Sequence, residues 1–276
     1  HQLMLTASEI DGTGLMPRSI WSGYDLDMLS YQLEKDKSVF KDSLRTHPTA
    51  DKLGKRRLCG IYDWTSGFFA GDLWLAYELT GDKELEAAAR KYTSQLYEIK
   101  DFTGHHDLGF MIYCSYGRQW ANFQEPEVLQ VIIDAANSLC TRFNPNIGQI
   151  RSWDFGEWNY PVIVDNLMNL EMLFFASKMT GDKKYYDVAV KHADTTLENH
   201  FRPDGSSYHV VSYNNDGTVE CKQTHQGKND DSSWSRGQAW GVTGTPFTYS
   251  YMHNDEILEK YFKIVDFYLD HLPEDK

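Results

Sequence analysis

Residues 71–97 (GDLWLAYELTGDKELEAAARKYTSQLY) and 171–197 (EMLFFASKMTGDKKYYDVAVKHADTTL) carry the same pattern, and this pattern decides the fold. In both, an apolar segment ends at Thr-Gly-Asp-Lys, and a segment with charges along one face follows. Such a glycine ends a helix in the left-handed conformation, and the aspartate after it can cap the next helix. A weaker third copy spans 251–272, with His-Asn-Asp at the turn. Repeated helical hairpins are typical of a stacked or closed array of α-helices.

The two helices of each hairpin differ in character. The first, as in 166–178, is apolar nearly all round, so we expect it to be buried on every side. The second, as in 83–97 and 184–197, is amphipathic and should be half exposed. Alternation of these two kinds predicts an inner ring of helices wrapped by an outer ring, which is an all-α (α/α)6 toroid.

Extending the pattern along the chain predicts nine helices in one domain, 1–276. The outer helices are expected near 22–40, 83–99, 125–143, 183–199 and 255–271, and the inner ones near 66–79, 107–120, 166–179 and 233–251. A small β-hairpin is expected at 206–221, where Asn-Asp-Gly suits the turn. Gly244 and Pro246 should kink or break the last inner helix. Because nine is an odd number, the ring is predicted to be incomplete.

Composition excludes several kinds of partner. The net charge is −13, so nucleic acid and an anionic membrane are not expected to bind. No apolar run approaches ~18 residues, which argues against a membrane span. The four cysteines lack metal-ligand spacing, so no metal is predicted. Aromatic residues make up 14% of the chain, which suits a site that stacks on sugar rings. Oligomeric state stays open.

Residues suited to sugar chemistry collect where the four inner helices begin. Successive inner helices run parallel, because an antiparallel outer helix separates them, so their starts should meet at one end. The residues at or near these starts are Trp64, His106, Asp107, Trp153, Asp165, Trp234, Arg236 and Trp240. Taken singly, each has an ordinary structural explanation: an aspartate caps a helix, a tryptophan packs, and Arg236 pairs with a neighbouring aspartate. Taken together, they predict a sugar-binding pocket with two carboxylates.

The predicted pocket is expected to favour an anionic ligand and to contain a buried carboxyl group. Four helix N-termini and Arg236 would favour an anionic ligand, such as the carboxylate of a uronic acid. Asp165 follows Pro-Val-Ile-Val and is therefore expected to be buried. Burial raises the pKa of a carboxyl group, which would make Asp165 a usable proton donor near neutral pH.

Four segments resemble those of glycoside hydrolase family 88, the unsaturated glucuronyl hydrolases. They are 64–68 (WTSGF), 106–110 (HDLGF), 163–170 (IVDNLMNL) and 230–240 (DDSSWSRGQAW), and the likeness covers roughly 20–272. The resemblance implies an (α/α)6 toroid of twelve helices, of which this sequence lacks the last ones. It also implies no metal or organic cofactor, and a bacterial periplasmic or cytoplasmic protein. The implied substrate is an oligosaccharide whose non-reducing end is a 4,5-unsaturated uronic acid.

The resemblance further assigns roles to residues. Asp165 matches the acid/base that hydrates the C4=C5 double bond, and Asp107 matches the second essential carboxylate. The implied substrate-binding residues are Trp64, His106, Trp153, His209, Gln226, Trp234, Arg236 and Trp240. Two alternatives remain: an unsaturated rhamnogalacturonyl hydrolase on the same fold, and a truncated toroid that binds sugar without turning it over.

Overall fold

The computed structural model describes residues 1–21 and 53–274, so the helix predicted near 22–40 lies outside the described residues. The chain divides into two compact units, His1–Gln95 and Leu96–Lys276. Each unit is described below by itself, and the single domain over 1–276 stays a prediction.

The first unit combines a short β-hairpin with helices. Its elements are α1 (Gln2–Ile10), β1 (Met16–Ile20), β2 (Arg56–Cys59), α2 (Ser66–Thr80) and α3 (Lys83–Ser94). Strands β1 and β2 are antiparallel. Within the hairpin of α2 and α3, Trp74 Nε1 donates a hydrogen bond to Thr93 Oγ1 at 2.9 Å. The hydroxyl of Tyr92 donates to the Ala7 carbonyl at 2.6 Å, which ties α1, an element that the pattern did not predict, to α3.

The second unit contains most of the helices. Its α-helices are α4 (Tyr116–Phe123), α5 (Pro126–Cys140), α6 (Leu170–Thr180), α7 (Lys183–Asn199), α8 (Ser235–Met252) and α9 (Asp255–Asp270). Two 3₁₀ helices (Tyr97–Asp101 and Val164–Asn169) and one π-helical turn (Gly109–Tyr113) accompany them. The strands are β3 (Phe143–Asn144), β4 (Gln149–Ile150), β5 (Pro161–Ile163), β6 (Val210–Tyr213) and β7 (Val219–Gln223).

The turn chemistry of the repeat is confirmed in all three copies. The residue that ends the first helix is left-handed in each copy: Gly81, Gly181 and His253. The next side chain accepts a hydrogen bond from the backbone of the second helix: Asp82, Asp182 and Asn254. Helix ends leave backbone N–H groups without intrahelical partners, and these caps satisfy one such group per helix.

The predicted β-hairpin forms as β6 and β7, but a third strand joins it. Strand β5 pairs antiparallel with β6, so that Ile163 lies opposite Val210. The side chains of Val162, Val211 and Tyr213 are fully buried in this sheet. Because β5 leads directly into the 3₁₀ helix Val164–Asn169, the sheet positions the segment that carries Asp165.

The inner helix predicted at 107–120 is wrong in part. The chain forms a π-helical turn at Gly109–Tyr113 and becomes α-helical only at Tyr116. Gly109 lies so close to Asn169 that a Cβ atom on the glycine would stand 2.7 Å from the Asn169 Cα. The segment predicted as helix from 166 likewise starts as a 3₁₀ helix. At these two starts the expected α-helical N-terminus does not form. The two α-helix dipoles that were expected to favour an anion there are therefore absent.

Of the expected kink or break at Gly244 and Pro246, the break does not occur, because α8 continues from Ser235 to Met252 through the proline, and the kink stays a prediction. A proline leaves the carbonyl one turn earlier without its usual partner and distorts its neighbours. Two threonine hydroxyls donate to carbonyls nearby: Thr245 to Gly241 at 2.8 Å and Thr248 to Gly244 at 3.1 Å. Both carbonyls precede the proline and flank that of Val242, which is the one that Pro246 leaves without its usual partner.

Among the residues that the structure describes, no helix combines the length and apolar character needed to cross a membrane.

Candidate active site

Asp165 lies in the first turn of the 3₁₀ helix Val164–Asn169, and only 7% of the residue is exposed. Helix α8 packs closely against this helix. A Cβ atom on Gly244 would lie 2.6 Å from the Leu167 Cβ, and one on Gly237 would lie 3.2 Å from a methyl group of Val164. Sheet and helix therefore hold the Asp165 segment from two sides.

The environment of Asp165 favours its protonated form. Burial raises the pKa of Asp165 to about 7, and the negative charge of Asp107 adds to the effect. Arg236 and Trp240 oppose it in part. A carboxyl group with this pKa holds a proton near neutral pH and can also release it, as a general acid must.

Asp107 lies between two histidines and behaves in the opposite way. Its carboxylate oxygens are 3.1 Å from His105 Nδ1 and 3.3 Å from His106 Nε2. Burial alone would raise the pKa of Asp107, but His106 and His105 outweigh burial and hold it below its usual range. An ionised carboxylate thus stands near a protonated one, which is how two carboxyl groups take separate roles in catalysis.

His106 connects Asp107 to the strand before Asp165. Its side chain is 1% exposed, and its backbone N–H donates to the Ser152 carbonyl at 3.0 Å. The Ser152 hydroxyl in turn accepts from the Ile163 backbone at 2.9 Å. Burial lowers the pKa of His106, and the negative charge of Asp107 opposes this lowering in part.

A buried chain of amides joins the segments of the two aspartates a second time. The Gly109 backbone N–H donates to Asn169 Oδ1 at 2.9 Å, and Asn169 Nδ2 donates to Asn166 Oδ1 at 3.3 Å. Asn166 Nδ2 then donates to the Ile150 carbonyl at 2.9 Å. Because every link is buried, a substitution at one link is expected to change the positions of both carboxylates.

Four of the predicted binding residues form one chain of contacts. His209 Nδ1 accepts hydrogen bonds from the backbone of His225 at 3.0 Å and of Gln226 at 3.1 Å, which places its ring proton on Nε2. The Trp234 ring lies 4.4 Å from the His209 ring. The guanidinium of Arg236 lies 4.2 Å above the Trp234 ring, and it donates to Gln226 Oε1 at 3.2 Å.

Trp153, which was expected to stack on sugar, lies beneath other rings. Only 7% of it is exposed, because Phe155 stacks on it at 4.9 Å with the rings 10° apart. His225 covers it from another direction at 5.4 Å. The exposed aromatic face at this place belongs to Phe155, of which 56% is exposed.

The remaining two tryptophans occupy the predicted helix starts. Trp240 lies in the second turn of α8 and contacts Phe110 at 5.1 Å. Trp64 belongs to the first unit, where it directly precedes the cap of α2 and meets Phe68 edge to face at 5.7 Å. Both stay predicted sugar contacts.

Buried polar atoms without a hydrogen-bond partner occur among these residues, as they do elsewhere in the described chain. In the described part of the second unit they include Asp165 Oδ2, Trp240 Nε1, His209 Nε2 and Trp153 Nε1. Buried polar groups are nearly always paired in folded proteins. The unpaired donors and the unpaired carboxyl oxygen of this candidate site are groups to which a hydroxyl-rich ligand can bond. Within residues 1–21 and 53–274, no group of three or more acidic, histidine or cysteine side chains is arranged to hold a metal.

Several residues of the site were not identified from the sequence. They are His105, Phe155, Asn166, Asn169 and His225. His105 and Phe155 lie within two positions of predicted residues, which is a weak signal. The bond between Gly109 and Asn169 joins positions 60 apart, and nothing local in the sequence indicates it.

Comparison with family models supports the resemblance seen in the four motifs. The model described as Glycosyl Hydrolase Family 88 matches residues 40–272. A model of a domain of unknown function matches residues 1–35.

Curated relatives match over most of this chain. An unsaturated glucuronyl hydrolase of Formosa agariphila is 45% identical over 221 residues, which cover 77% of this chain and 55% of the relative. An unsaturated chondroitin disaccharide hydrolase of Streptococcus pyogenes is 34% identical, with 91% of this chain and 64% of the relative covered. The chain thus spans between about half and two thirds of the length of these relatives.

A solved structure matches nearly the whole chain. The crystal structure of an unsaturated glucuronyl hydrolase specific for heparin superposes with a TM-score of 0.84 at 40% identity, covering 99% of this chain and 67% of that one. The structures of this kind are α/α toroids, so the predicted all-α toroid fold class is confirmed.

Proposed function

The chain belongs to glycosyl hydrolase family 88, and from that premise we propose that it releases a 4,5-unsaturated uronic acid from the non-reducing end of an oligosaccharide. The observation that carries the proposal is the pair of carboxyl groups in the second unit. Asp165 is buried with a pKa of about 7, and Asp107 has a pKa below its usual range.

The first step is transfer of the Asp165 proton to C4 of the substrate's C4=C5 double bond. Because C5 also bears the ring oxygen, the positive charge that forms is shared between C5 and that oxygen. The negative charge of Asp107 stabilises it.

The second step adds water to C5. The Asp165 carboxylate, now ionised, accepts a proton from the water while its oxygen bonds to C5, so Asp165 regains the proton that it gave. The product is a hemiketal at C5. Opening of this hemiketal leaves a ketone at C5 and a hemiacetal at C1, and the hemiacetal then expels the remaining sugar as an alcohol. The sum is one water consumed and one glycosidic bond lost.

The binding residues suit such a substrate. Arg236, whose guanidinium lies above the Trp234 ring, offers a cation to the uronate carboxylate. The unpaired donors His209 Nε2 and Trp240 Nε1 can bond to hydroxyl groups. The names of the relatives, glucuronyl and chondroitin disaccharide hydrolases, support lyase-generated fragments of glycosaminoglycans as the substrate class.

The test follows the loss of ultraviolet absorbance of the unsaturated uronate. We expect turnover of glycosaminoglycan-derived unsaturated disaccharides and little turnover of those derived from rhamnogalacturonan. Asp165→Asn should lower kcat by about 10²- to 10⁴-fold, the range typical of a lost general acid. The control is Asp187→Asn, at an exposed aspartate on α7.

Three outcomes would count against this proposal. Faster turnover of the rhamnogalacturonan disaccharide would favour the sister activity on the same fold. Binding of disaccharide without any turnover would favour the sugar-binding alternative. An Asp165→Asn variant as active as the Asp187→Asn control would contradict the mechanism.

A further inference from the structure

The chain segment 149–152 connects the surroundings of the two aspartates of the candidate site. On one side, the Ser152 carbonyl accepts a hydrogen bond from the backbone N–H of His106 at 3.0 Å. On the other side, the Ile150 carbonyl accepts one from Nδ2 of Asn166 at 2.9 Å. The two donors are the chain neighbours of the two aspartates, so the position of this segment bears on both carboxyl groups.

Side chains satisfy the backbone of Ile150. Strand β4, which contains this residue, forms a two-stranded sheet with β3, and Ile150 lies opposite Phe143 there. The Ile150 N–H donates to Nδ1 of His192 at 3.0 Å, while its carbonyl binds the Asn166 amide. Ile150 is fully buried, and a buried backbone N–H needs a partner. His192 supplies that partner.

Helix α7 therefore holds the segment 149–152 from behind. Besides the bond to His192 Nδ1, the amide nitrogen of Gln149 donates to the Thr196 hydroxyl at 3.1 Å and to the His192 carbonyl at 3.3 Å. His192, Thr196 and Gln149 are all fully buried. None of the predicted site residues lies on α7, yet this outer helix contacts the chain that supports them.

The bond from Ile150 also specifies the form of the His192 ring. A ring nitrogen that accepts an N–H carries no proton, so the proton of the neutral ring lies on Nε2. A charged ring would carry a hydrogen on Nδ1, directed at the Ile150 N–H. Burial lowers the pKa of His192 well below its ordinary value, which keeps the ring in the accepting form.

We propose that His192 is a positioning residue of the reaction, which fixes the segment 149–152 by accepting the Ile150 N–H and thereby holds Asp165 and Asp107 in place. The inference rests on the proposed function. Without the acceptor, a buried N–H is left unpaired, so β4 shifts toward another partner. The Ile150 carbonyl then moves with it and displaces Asn166, next to Asp165.

Two variants at His192 separate the hydrogen bond from the packing of the ring. Leu and Asn are similar in shape and both are smaller than His, so both variants should lower Tm by similar amounts. Asn places Oδ1 where the ring has Nδ1, and this oxygen can accept the Ile150 N–H. Leu places a methyl group there.

His192→Leu should lower kcat for the unsaturated disaccharide by roughly 10- to 100-fold, the range for a slightly misplaced catalytic group. KM should change little, because Trp234 and Arg236 lie on another segment. His192→Asn should recover most of kcat although its Tm stays low. Equal kcat in the two variants, or wild-type kcat in His192→Leu, would overturn the proposal.

Tyr185→Phe is the control on the same helix. Tyr185 is buried, and its hydroxyl donates to Asn137 Oδ1 on α5 at 2.8 Å. The variant loses a bond of α7 without touching the segment 149–152, so Tm should fall while kcat stays at the wild-type value. A loss of kcat as large as in His192→Leu would overturn the proposal, because any loosening of α7 would then suffice.

The pH profile shows whether Asp165 has moved. In wild type, kcat/KM should fall at about pH 7, where the buried Asp165 loses its proton. A displaced carboxyl group gains contact with water, so in His192→Leu this fall should move to lower pH by about 0.5 unit or more. His192→Asn and Tyr185→Phe should keep the wild-type profile. A wild-type profile in His192→Leu would overturn the proposal.

Thr196→Val keeps the test open if His192→Leu does not fold. Val has the shape of Thr without the hydroxyl, so this variant loses the bond to Gln149 and keeps the one to His192. We expect kcat to fall by roughly 2- to 5-fold, as for one hydrogen bond, and the profile to move in the same direction. Wild-type kcat in Thr196→Val would then overturn the proposal.

The proposed function and the positioning role fail separately. If wild type shows no turnover, the proposed function fails, and the role of His192 is judged by ¹³C NMR of protein labelled in its aspartate carboxyl groups. The Asp165 signal is the one that Asp165→Asn lacks. Its pKa should be lower in His192→Leu than in wild type and unchanged in His192→Asn. Equal values in His192→Leu and wild type would overturn the positioning role.

Discussion

Asp165 and Asp107 show at the scale of single residues how one site supplies both a proton and a negative charge. Both are aspartates, so their different pKa values arise from their surroundings. Asp165 is buried and its Oδ2 has no partner among the described residues, whereas two histidines flank Asp107. In a low effective dielectric the negative charge of Asp107 disfavours a second negative charge on Asp165, which keeps the proton on Asp165.

The raised pKa of Asp165 predicts a pH-dependent stability. The pKa of this carboxyl group is about 7 in the folded protein and near its ordinary value of 3.8 in the unfolded protein. The stability that its proton contributes is therefore complete below pH ~4 and is lost as the pH rises to about 7. Asn cannot ionise, so the stability of Asp165→Asn should gain roughly 4 kcal/mol relative to wild type between pH 4 and pH 8.

Thermal unfolding of both proteins across this pH range measures the difference. Asp187→Asn, at an exposed site, serves as the control. If the difference in stability between Asp165→Asn and wild type is the same at all pH values, burial does not raise the pKa of this carboxyl group.

The same two groups predict the pH dependence of turnover. The rate should fall as the pH rises through about 7, because Asp165 then loses the proton that it must donate. It should fall on the acidic side only where Asp107 becomes protonated, below the usual range of aspartate. A profile of kcat/KM against pH checks both limbs, and a rate that keeps rising above pH 8 would contradict the role of Asp165.

At the scale of elements, two short irregular helices decide where the carboxylates lie. The π-helical turn at Gly109–Tyr113 and the 3₁₀ helix at Val164–Asn169 contact each other through Gly109 and Asn169. Single π-helical turns occur often at functional sites, because they direct side chains that a regular helix would place elsewhere. Here the contact joins the segments of both carboxylates, so the two positions depend on each other.

Gly109→Ala tests this contact. The new Cβ would stand 2.7 Å from the Asn169 Cα and 2.6 Å from Asn169 Oδ1, so the two segments must separate. We expect a loss of about 1–3 kcal/mol in the free energy of unfolding. We also expect lower turnover, since Asp107 is two positions away.

Gly60→Ala is the control, because nothing lies within 4 Å of a Cβ at that glycine. Calorimetric Tm values and kcat measured on the same preparations compare the two variants. If Gly109→Ala matches Gly60→Ala in both quantities, the contact has no role in positioning the carboxylates.

At the scale of the whole molecule, buried neutral histidines oppose Asp165 in setting the pH of greatest stability. Burial lowers the pKa of His200 and of His209 to about 3, and lowers that of His192 well below its ordinary value. The unfolded chain binds these protons near pH 6.5, while the folded protein does not. Stability is therefore complete above pH ~6.5 and is lost as the pH falls from there toward 3.

We expect the free energy of unfolding to fall between pH 6.5 and pH 4 by up to about 1.4 kcal/mol per pH unit for each such histidine, and Tm to fall with it. His200→Gln removes one titrating group and should make this fall shallower, apart from any constant loss of packing. His271→Gln, at an exposed histidine, is the control. An unchanged slope for His200→Gln would contradict a neutral buried ring at this position.

The sequence by itself determined the features that depend on neighbours along the chain. A left-handed glycine followed by a capping aspartate involves a few adjacent residues, and both copies with this pattern formed as expected, while His253 and Asn254 take the same positions in the third. The amphipathic and apolar helices followed from periodicity, and the four motifs placed Asp107 and Asp165 in a family.

Only the tertiary structure decided the features that depend on residues far apart. The π-helical turn arises where Gly109 meets Asn169, and Trp153 loses its exposed face because Phe155 and His225 cover it. Burial and the nearby charge of Asp107 set the pKa of Asp165, and both exist only after folding. Local patterns specify turns and helices because those interactions span a few residues. Steric contact and electrostatics in the core act between segments that folding brings together, which no local pattern records.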